Sequence, residues 1–277
     1  MFSQSDKGHA FKALHEMPGC FVIPNPWDAG SAKILTSRGF KALATTSAGL
    51  AFALGRRDCA NLVSREEALR NAADIASASE LPVTADLENG FGEEPSVVGD
   101  TIRLAAEVGL VGCSIEDATG EPEKPIYEFR RSVERIVAAV EAARALAFPF
   151  VLTARAENFL HGNHDLHDTI ARLQAYREAG ADVLYAPGLR SLEDIGTVVR
   201  EIEGPVNVVM GFSGVALSVA ELAEVGVKRI SLGSVLNRAA LGAFIRAAKE
   251  VQELGTFEFS RTAPSVQEIY QSFESTS

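Results

Sequence analysis

Short runs of apolar and β-branched residues alternate along the chain with longer stretches in which apolar positions recur at helical spacing. The runs are FVIPNP from Phe21, KALATTS from Lys41, LPVTADLE from Leu81, GLVGCSIED from Gly109, PFVLTARAE from Pro149, ADVLYAPG from Ala181, PVNVVMG from Pro205 and KRISLGS from Lys228. Their composition and length predict strands. Amphipathic stretches beginning at Ala29, Ser64, Ser96, Glu128, Leu166, Ser191, Ser218 and Leu236 predict the helices between and after them. Several of these close on Gly just before the next strand, as a helix C-cap does, and Ser64 with Glu67 has capping-box spacing. Strands that are nearly continuous in apolar character and alternate with helices belong to a parallel sheet buried on both faces. Eight such units predict an α/β fold of the (β/α)8 TIM-barrel type, with a doubly wound sheet as the weaker alternative.

No Pro- or Ser-rich linker divides the chain, so residues 1–277 are expected to form one barrel domain with a helical extension from about residue 256. Within that extension SVQEIYQSF predicts one more helix outside the eight units. Its apolar residues have no place inside a closed barrel, so it either docks on a neighbouring subunit or folds back on its own barrel.

The 47% hydrophobic content is ample for a packed core and excludes general disorder. No apolar run approaches the length of a membrane span, and the opening MFSQSDKGHAFKALHEM lacks signal-peptide features. A soluble, cytoplasmic protein is expected, with no membrane partner. The net charge of −11, without an offsetting Lys/Arg cluster, argues against a nucleic-acid partner. Cys20, Cys59 and Cys113 are widely spaced and predict neither a disulfide framework nor a structural zinc site.

A barrel carries its active site at the C-terminal strand ends, and the polar residues there are concentrated. The third strand runs into Asp86-Leu87-Glu88, whose alternation turns both acids to one face. The fourth ends in Glu116-Asp117, and the loop after the second delivers Asp58. Carboxylates without supporting His or Cys suit Mg2+ or Mn2+ rather than zinc. Thr153, Arg155 and Glu157 share a face at the end of the fifth strand, so a cation sits among the acids. Arg155 can bind a substrate carboxylate, or it can simply ion-pair with Glu116 or Glu157; the neighbouring acids favour a metal and substrate site.

Other features carry less. In TTSAGLA the small residues Ser47, Ala48 and Gly49 can bring backbone N–H groups to an anionic ligand, although such residues are also ordinary turn chemistry. Trp27 and Asp28 can line the mouth, Asp28 serving equally well as a helix N-cap. Asn207 is a further candidate for substrate contact. His161, His164 and His167 are spaced so that they do not share a helix face, and Asp165 reads as a helix start. Cys113 reads as a packed strand residue, and Cys59 has no evident base beside it in sequence. No phosphate-loop or dinucleotide fingerprint is present.

The set Asp58, Asp86, Glu88, Glu116 and Arg155, with PNPWDAGSAKIL, TTSAGLAFALGRRD, TADLENGFG, SIED and TARAENF in consistent order from about Phe21 to Ala243, resembles the isocitrate lyase/phosphoenolpyruvate mutase superfamily. The resemblance implies a (β/α)8 barrel, often with its last helix exchanged between subunits of a homodimer or homotetramer. It implies Mg2+ held directly or through water by Asp58, Asp86, Glu88 and Glu116. It places Arg155 against the substrate carboxylate and the backbone at Ser47 and Ala48 against the ligand. The substrate would be a small 2-oxo acid cleaved next to an enolate, with Arg155, Asp58 and Glu116 as the expected catalytic residues.

Departures from the family pattern narrow the reading. The segment DATGEPEKPIYEF after Glu116 has neither the K-[KR]-C-G-H motif of the lyases, whose Cys is the acid/base, nor the DKxxPKxN-like lid of the phosphonate enzymes. Glu88 stands where Asp is usual. Metal and enolate machinery without a lid acid suits decarboxylation of oxaloacetate to pyruvate. The alternatives are a C–C lyase of the isocitrate, 2-methylisocitrate or 2-alkylmalate type, a P–C bond enzyme, and a non-catalytic 2-oxo acid binding protein.

Overall fold

The computed structural model describes residues 2–211, 214–215 and 217–274. Its strands are β1 (Phe21–Ile23), β2 (Leu43–Ala44), β3 (Val83–Asp86), β4 (Gly112–Glu116), β5 (Val151–Arg155), β6 (Val183–Tyr185), β7 (Val206–Val209) and β8 (Arg229–Ser231). Each falls inside one of the predicted runs. All pairings are parallel, in the order β1-β8-β7-β6-β5-β4-β3-β2. The remaining seam between β1 and β2 is bridged by Ala44 N–H donating to Pro24 O at 3.0 Å. Asn25 ties the same seam to β8: its Nδ2 donates to Thr45 O, while its Oδ1 accepts from the N–H groups of Leu232 and Gly233, each at 2.9 Å. The result is the expected nearly closed α/β barrel.

The helices are α1 (Gln4–Glu16), α2 (Ala29–Ser37), α3 (Ser47–Ala53), α4 (Arg65–Ser77), α5 (Pro95–Glu107), α6 (Phe129–Arg144), α7 (Leu166–Ala179), α8 (Leu192–Glu201), α9 (Val219–Glu224), α10 (Val235–Leu254) and α11 (Val266–Glu274). Outward strand residues such as Ile115, Leu152, Leu184 and Ile230 pack with the inner faces of α5 to α8 in the main core. Ser64 and Glu67 form the expected capping box of α4, and Asp28 caps α2 reciprocally with Ser31. Asp165 caps α7 after the short 3-10 turn Asn158–His161.

Two helices escape the hydrophobic pattern. α1 carries too few apolar residues to register, yet its Phe11 packs with Ile23, Val111, Val151 and Val183 at the N-terminal end of the barrel. α3 is built from the small residues read as an open turn; Thr46 caps it by accepting from Gly49 N–H.

The C-terminal part divides. α11 returns to its own barrel and packs beside α2, with Lys33 Nζ 5.8 Å from the Phe273 ring centroid. α10 stays largely unpacked, with Phe244 70% and Ile245 62% exposed. Among the described residues no helix is long and apolar enough to cross a membrane.

Candidate active site

A cavity of about 230 Å³ opens at the C-terminal ends of the strands. Asp58, Asp86, Glu88, Glu116 and Arg155 all line it, as do Ser47, Ala48 and Asn207. The residues predicted from strand ends and loops thus share one hollow. Two expected ligand contacts do not reach it. Trp27 lies behind α3, where a Cβ on Gly49 would come 3.0 Å from Trp27 Cβ. Gly49 itself is buried, and its N–H is taken by Thr46. The reason in both cases is that Ser47-Ala48-Gly49 coils into α3 rather than running as an exposed turn.

Arg155 is the hub. Its NH1 donates to Asp86 Oδ1 at 2.9 Å, NH2 pairs with Glu116 Oε2 at 3.0 Å and Nε donates to Glu157 Oε1 at 2.8 Å. The guanidinium also sits 5.1 Å over the Tyr185 ring. Burial opposes its charge, but Glu116, Glu157 and Asp86 outweigh that and hold it protonated. The ion pairing of Arg155 with Glu116 and Glu157 is therefore real, and it extends to Asp86.

Asp86 is the most connected acid. Besides Arg155 it accepts from Ser47 Oγ at 3.0 Å and, at 3.4 Å, from Ser114 Oγ and from the N–H groups of Ser47 and Glu88. Glu88 reaches the cavity by a different route from the one strand alternation predicts. β3 ends at Asp86, and Glu88 adopts a left-handed backbone, φ 48°. Cys59, Asn61 and Phe91 also have positive φ, so the unusual non-Gly backbone among the described residues lies in the loops after β2 and β3.

The acids repel one another. Burial, then Asp86 and Asp58, push the Glu88 carboxyl up to about 7. Burial and Asp86 raise Asp58. Glu116 is raised well above the ordinary range by burial, which Arg155 offsets only in part. Burial likewise pushes Glu157 up to about 7 against the pull of Arg155. Five carboxyl groups thus gather around Arg155, while Arg229 and Arg238 also line the cavity.

That excess of negative charge, on hard oxygen donors without nitrogen or sulfur, fits a divalent ion such as Mg2+ or Mn2+. Asp86 would hold it. Asp58, Glu88 and Glu116 are the further acids that could hold it, directly or through water; among the described residues no three such groups are already gathered as a ligand set. The histidine triplet gives no alternative; His164 packs edge-on against Phe159.

Around the site, Arg172, Tyr176 and Arg229 were not anticipated, and Asp117 takes a place that its strand-end position did not reveal. Asp117, 3% exposed, points away from the cavity because it follows Glu116 in the strand alternation. It accepts from Glu157 N–H at 2.8 Å, Tyr176 OH at 2.8 Å and Arg172 NH1 at 3.0 Å, which links the ends of β4 and β5 to α7. Arg172 in turn pairs with Asp168, which accepts from Asn158 Nδ2. On the far wall, Arg229 donates from Nε to Asn207 Oδ1 and from NH2 to Thr153 Oγ1. Alternation along β8 was the available signal for Arg229 and Ser231, which line the cavity beside the expected Thr153 and Asn207.

The segment between Asp117 and Tyr127 folds as a short hairpin: Ala118 bridges Ile126, Thr119 N–H donates to Pro125 O and Tyr127 N–H to Asp117 O. It contains neither Cys nor His. The thiol lining the cavity is Cys59, whose Sγ lies 3.5 Å from Asp58 Oδ2.

Residues 11–252 match the family model described as phosphoenolpyruvate phosphomutase. A solved Burkholderia cenocepacia protein, itself only provisionally assigned as a lyase or mutase, superposes with a TM-score of 0.95 at 59% identity, covering 98% of this chain and 97% of that one. The oxaloacetate decarboxylase of Pseudomonas fluorescens is 26% identical over 97% of this chain and 92% of its own length. The 2-methylisocitrate lyase of Aeropyrum pernix is 27% identical over 90% of this chain and 81% of its own.

Proposed function

Because the chain belongs to the phosphoenolpyruvate mutase/isocitrate lyase superfamily of lyases and mutases, we propose that it decarboxylates oxaloacetate to pyruvate with the help of Mg2+. The observation that carries this reading is the pairing of an acid-and-Arg155 mouth with a short hairpin after β4, in the place where the family's lid is expected, that has no Cys or His. Loss of CO2 needs no protein acid. The C3–C4 bond breaks, its electron pair becomes the enolate C2=C3 bond, and water then protonates C3.

Bound Mg2+ would supply a Lewis acid for the 2-oxo oxygen. Arg155 keeps a fixed positive charge beside the position where negative charge grows, a kind of contact worth on the order of 3–4 kcal/mol in a dry site. Ser47, with its hydroxyl on Asp86 and its N–H at the start of α3, orients that acid and lines the ligand space.

A C–C lyase is the second reading, favoured by Cys59: its thiol lines the cavity beside Asp58 and offers the proton donor that the lid lacks. The exposed apolar face of α10 supports a homodimer or homotetramer in which this helix packs on a neighbour.

Pyruvate release from oxaloacetate, measured with Mg2+ for the wild type, Asp86→Ala and Arg155→Ala, tests the proposal. Turnover no faster than free Mg2+ would sink it. Succinate and pyruvate release from 2-methylisocitrate would instead establish the lyase, and oxalate binding without turnover would point to a binding protein.

A further inference from the structure

Arg135 lies on α6, outside the barrel, and is 1% exposed. Among the described residues no Asp or Glu forms an ion pair with it; the nearby Glu94 pairs with Arg131. Its guanidinium forks instead onto the main chain of the loop after β3. NH1 donates to Gly92 O at 2.7 Å and also to Glu93 O, while NH2 donates to Asn89 O. Its Nε has no partner among the described residues. The other face of the group lies 4.3 Å over the ring of Tyr127, the residue that closes the lid hairpin.

A buried guanidinium without a carboxylate is costly, so its retention asks for a reason. The loop it grips supplies one. Glu88 and Phe91 are left-handed there, as is Gly90 between them. Such backbone persists only when its surroundings over-determine it. The carbonyls of Asn89, Gly92 and Glu93 are held by Arg135, and that of Gly90 by Thr101 Oγ1 at 2.9 Å. Glu88 O receives Glu116 N–H at 2.9 Å, after which the sheet ends. Arg131 NH2 also donates to Glu93 O at 3.2 Å, and Asn89 Nδ2 to Thr119 O at 3.5 Å, so Arg135 braces this segment together with Thr101 and Arg131 and alone reaches three of its carbonyls.

We infer that Arg135 is a positioning residue that joins the Glu88 loop to the base of the lid, so that both acid placement and lid placement answer to one side chain. This rests on the proposed role of Glu88 at a divalent-metal site, but its structural half stands independently. Arg135 touches neither substrate nor metal; it acts through three carbonyls and one aromatic face.

Amide hydrogen exchange and Mg2+ titration calorimetry on the full chain test it, with Arg135→Met, Arg135→Lys and Tyr127→Leu. In Arg135→Met, exchange over residues 88–93 and 118–127 is expected to speed at least about tenfold while the central strands keep their protection. Mg2+ affinity is expected to fall about tenfold, as for loss of a support behind a ligand. Arg135→Lys, which keeps the charge but not the fork, should fall between. Tyr127→Leu should loosen 118–127 and leave 88–93 protected. Unchanged local exchange in both Arg135 variants, or a uniform rise across the whole chain, overturns the inference. If Arg135→Met does not fold, the Lys and Tyr127 variants decide it. Failure of the wild type to bind Mg2+ would count against the metal reading alone, since the exchange arm would still report on the brace.

Discussion

Arg155 and Asp86 meet at 2.9 Å across the barrel mouth, from the ends of β5 and β3. The same guanidinium holds Glu116 and Glu157, so it is the charge that lets these buried acids lie together. Arg155→Met leaves them buried without a cation. We expect a loss of about 3–5 kcal/mol in urea unfolding and a fall in kcat/KM of roughly 10²–10³-fold. Unaltered stability would show that the acids do not depend on Arg155.

Mg2+ should stabilise the fold, because it offsets the burial and the mutual repulsion that together raise Glu88 and Asp58. At a concentration one hundred times its Kd the gain is about 2.7 kcal/mol. Thermal melts with and without Mg2+ read this directly. Asp86→Asn should abolish the shift, and a full shift in that variant would remove Asp86 from the metal site.

The Asp117 network makes a separate prediction. Arg172→Met strands a carboxylate that is 3% exposed, leaving it only Tyr176 OH and Glu157 N–H. A destabilisation of about 4–5 kcal/mol is expected. Tyr176→Phe, which keeps the cation, should cost about 1.5–3 kcal/mol. Equal losses in the two variants would mean that the charge of Arg172 is not what holds Asp117.

His15 sets an acid limb on stability. Burial first, and then Arg229, hold its pKa near 3 in the folded protein against the usual 6.5. Between those values the unfolded chain binds the extra proton. This contribution is therefore fully present above pH 6.5 and is lost as pH falls toward 3. At about 1.4 kcal/mol per pH unit the loss reaches several kcal/mol. His15→Gln should flatten the fall in unfolding free energy between pH 7 and pH 4; an unchanged slope would assign acid sensitivity elsewhere.

The face of α10 predicts association. Phe244→Glu with Ile245→Glu places charge on the two most exposed apolar residues of its middle turns. Sedimentation velocity should show the wild type as a dimer or tetramer and the variant as a monomer. A monomeric wild type would exclude the packing of α10 on a neighbour.

What the sequence determined by itself follows from local periodicity and strand parity. Apolar runs separated by amphipathic stretches specify eight strands because a strand covered on both faces must be apolar throughout. Polar residues ending those runs, such as Asp86, Glu116 and Arg155, can only lie at the mouth. Parity also had the means to mark Asp117 as facing the helices. The tertiary structure decided what has no local signature. α1 becomes the floor through one buried Phe, and Ser47 to Gly49 coil into α3, which takes Gly49 and Trp27 off the cavity wall. Glu88 turns inward by a left-handed residue rather than by alternation. Arg155 engages three acids from three strand ends or loops, and Arg135 braces a loop more than forty residues away in sequence. Such contacts are settled when the barrel closes, because the distances between strand ends depend on register and curvature rather than on any one segment.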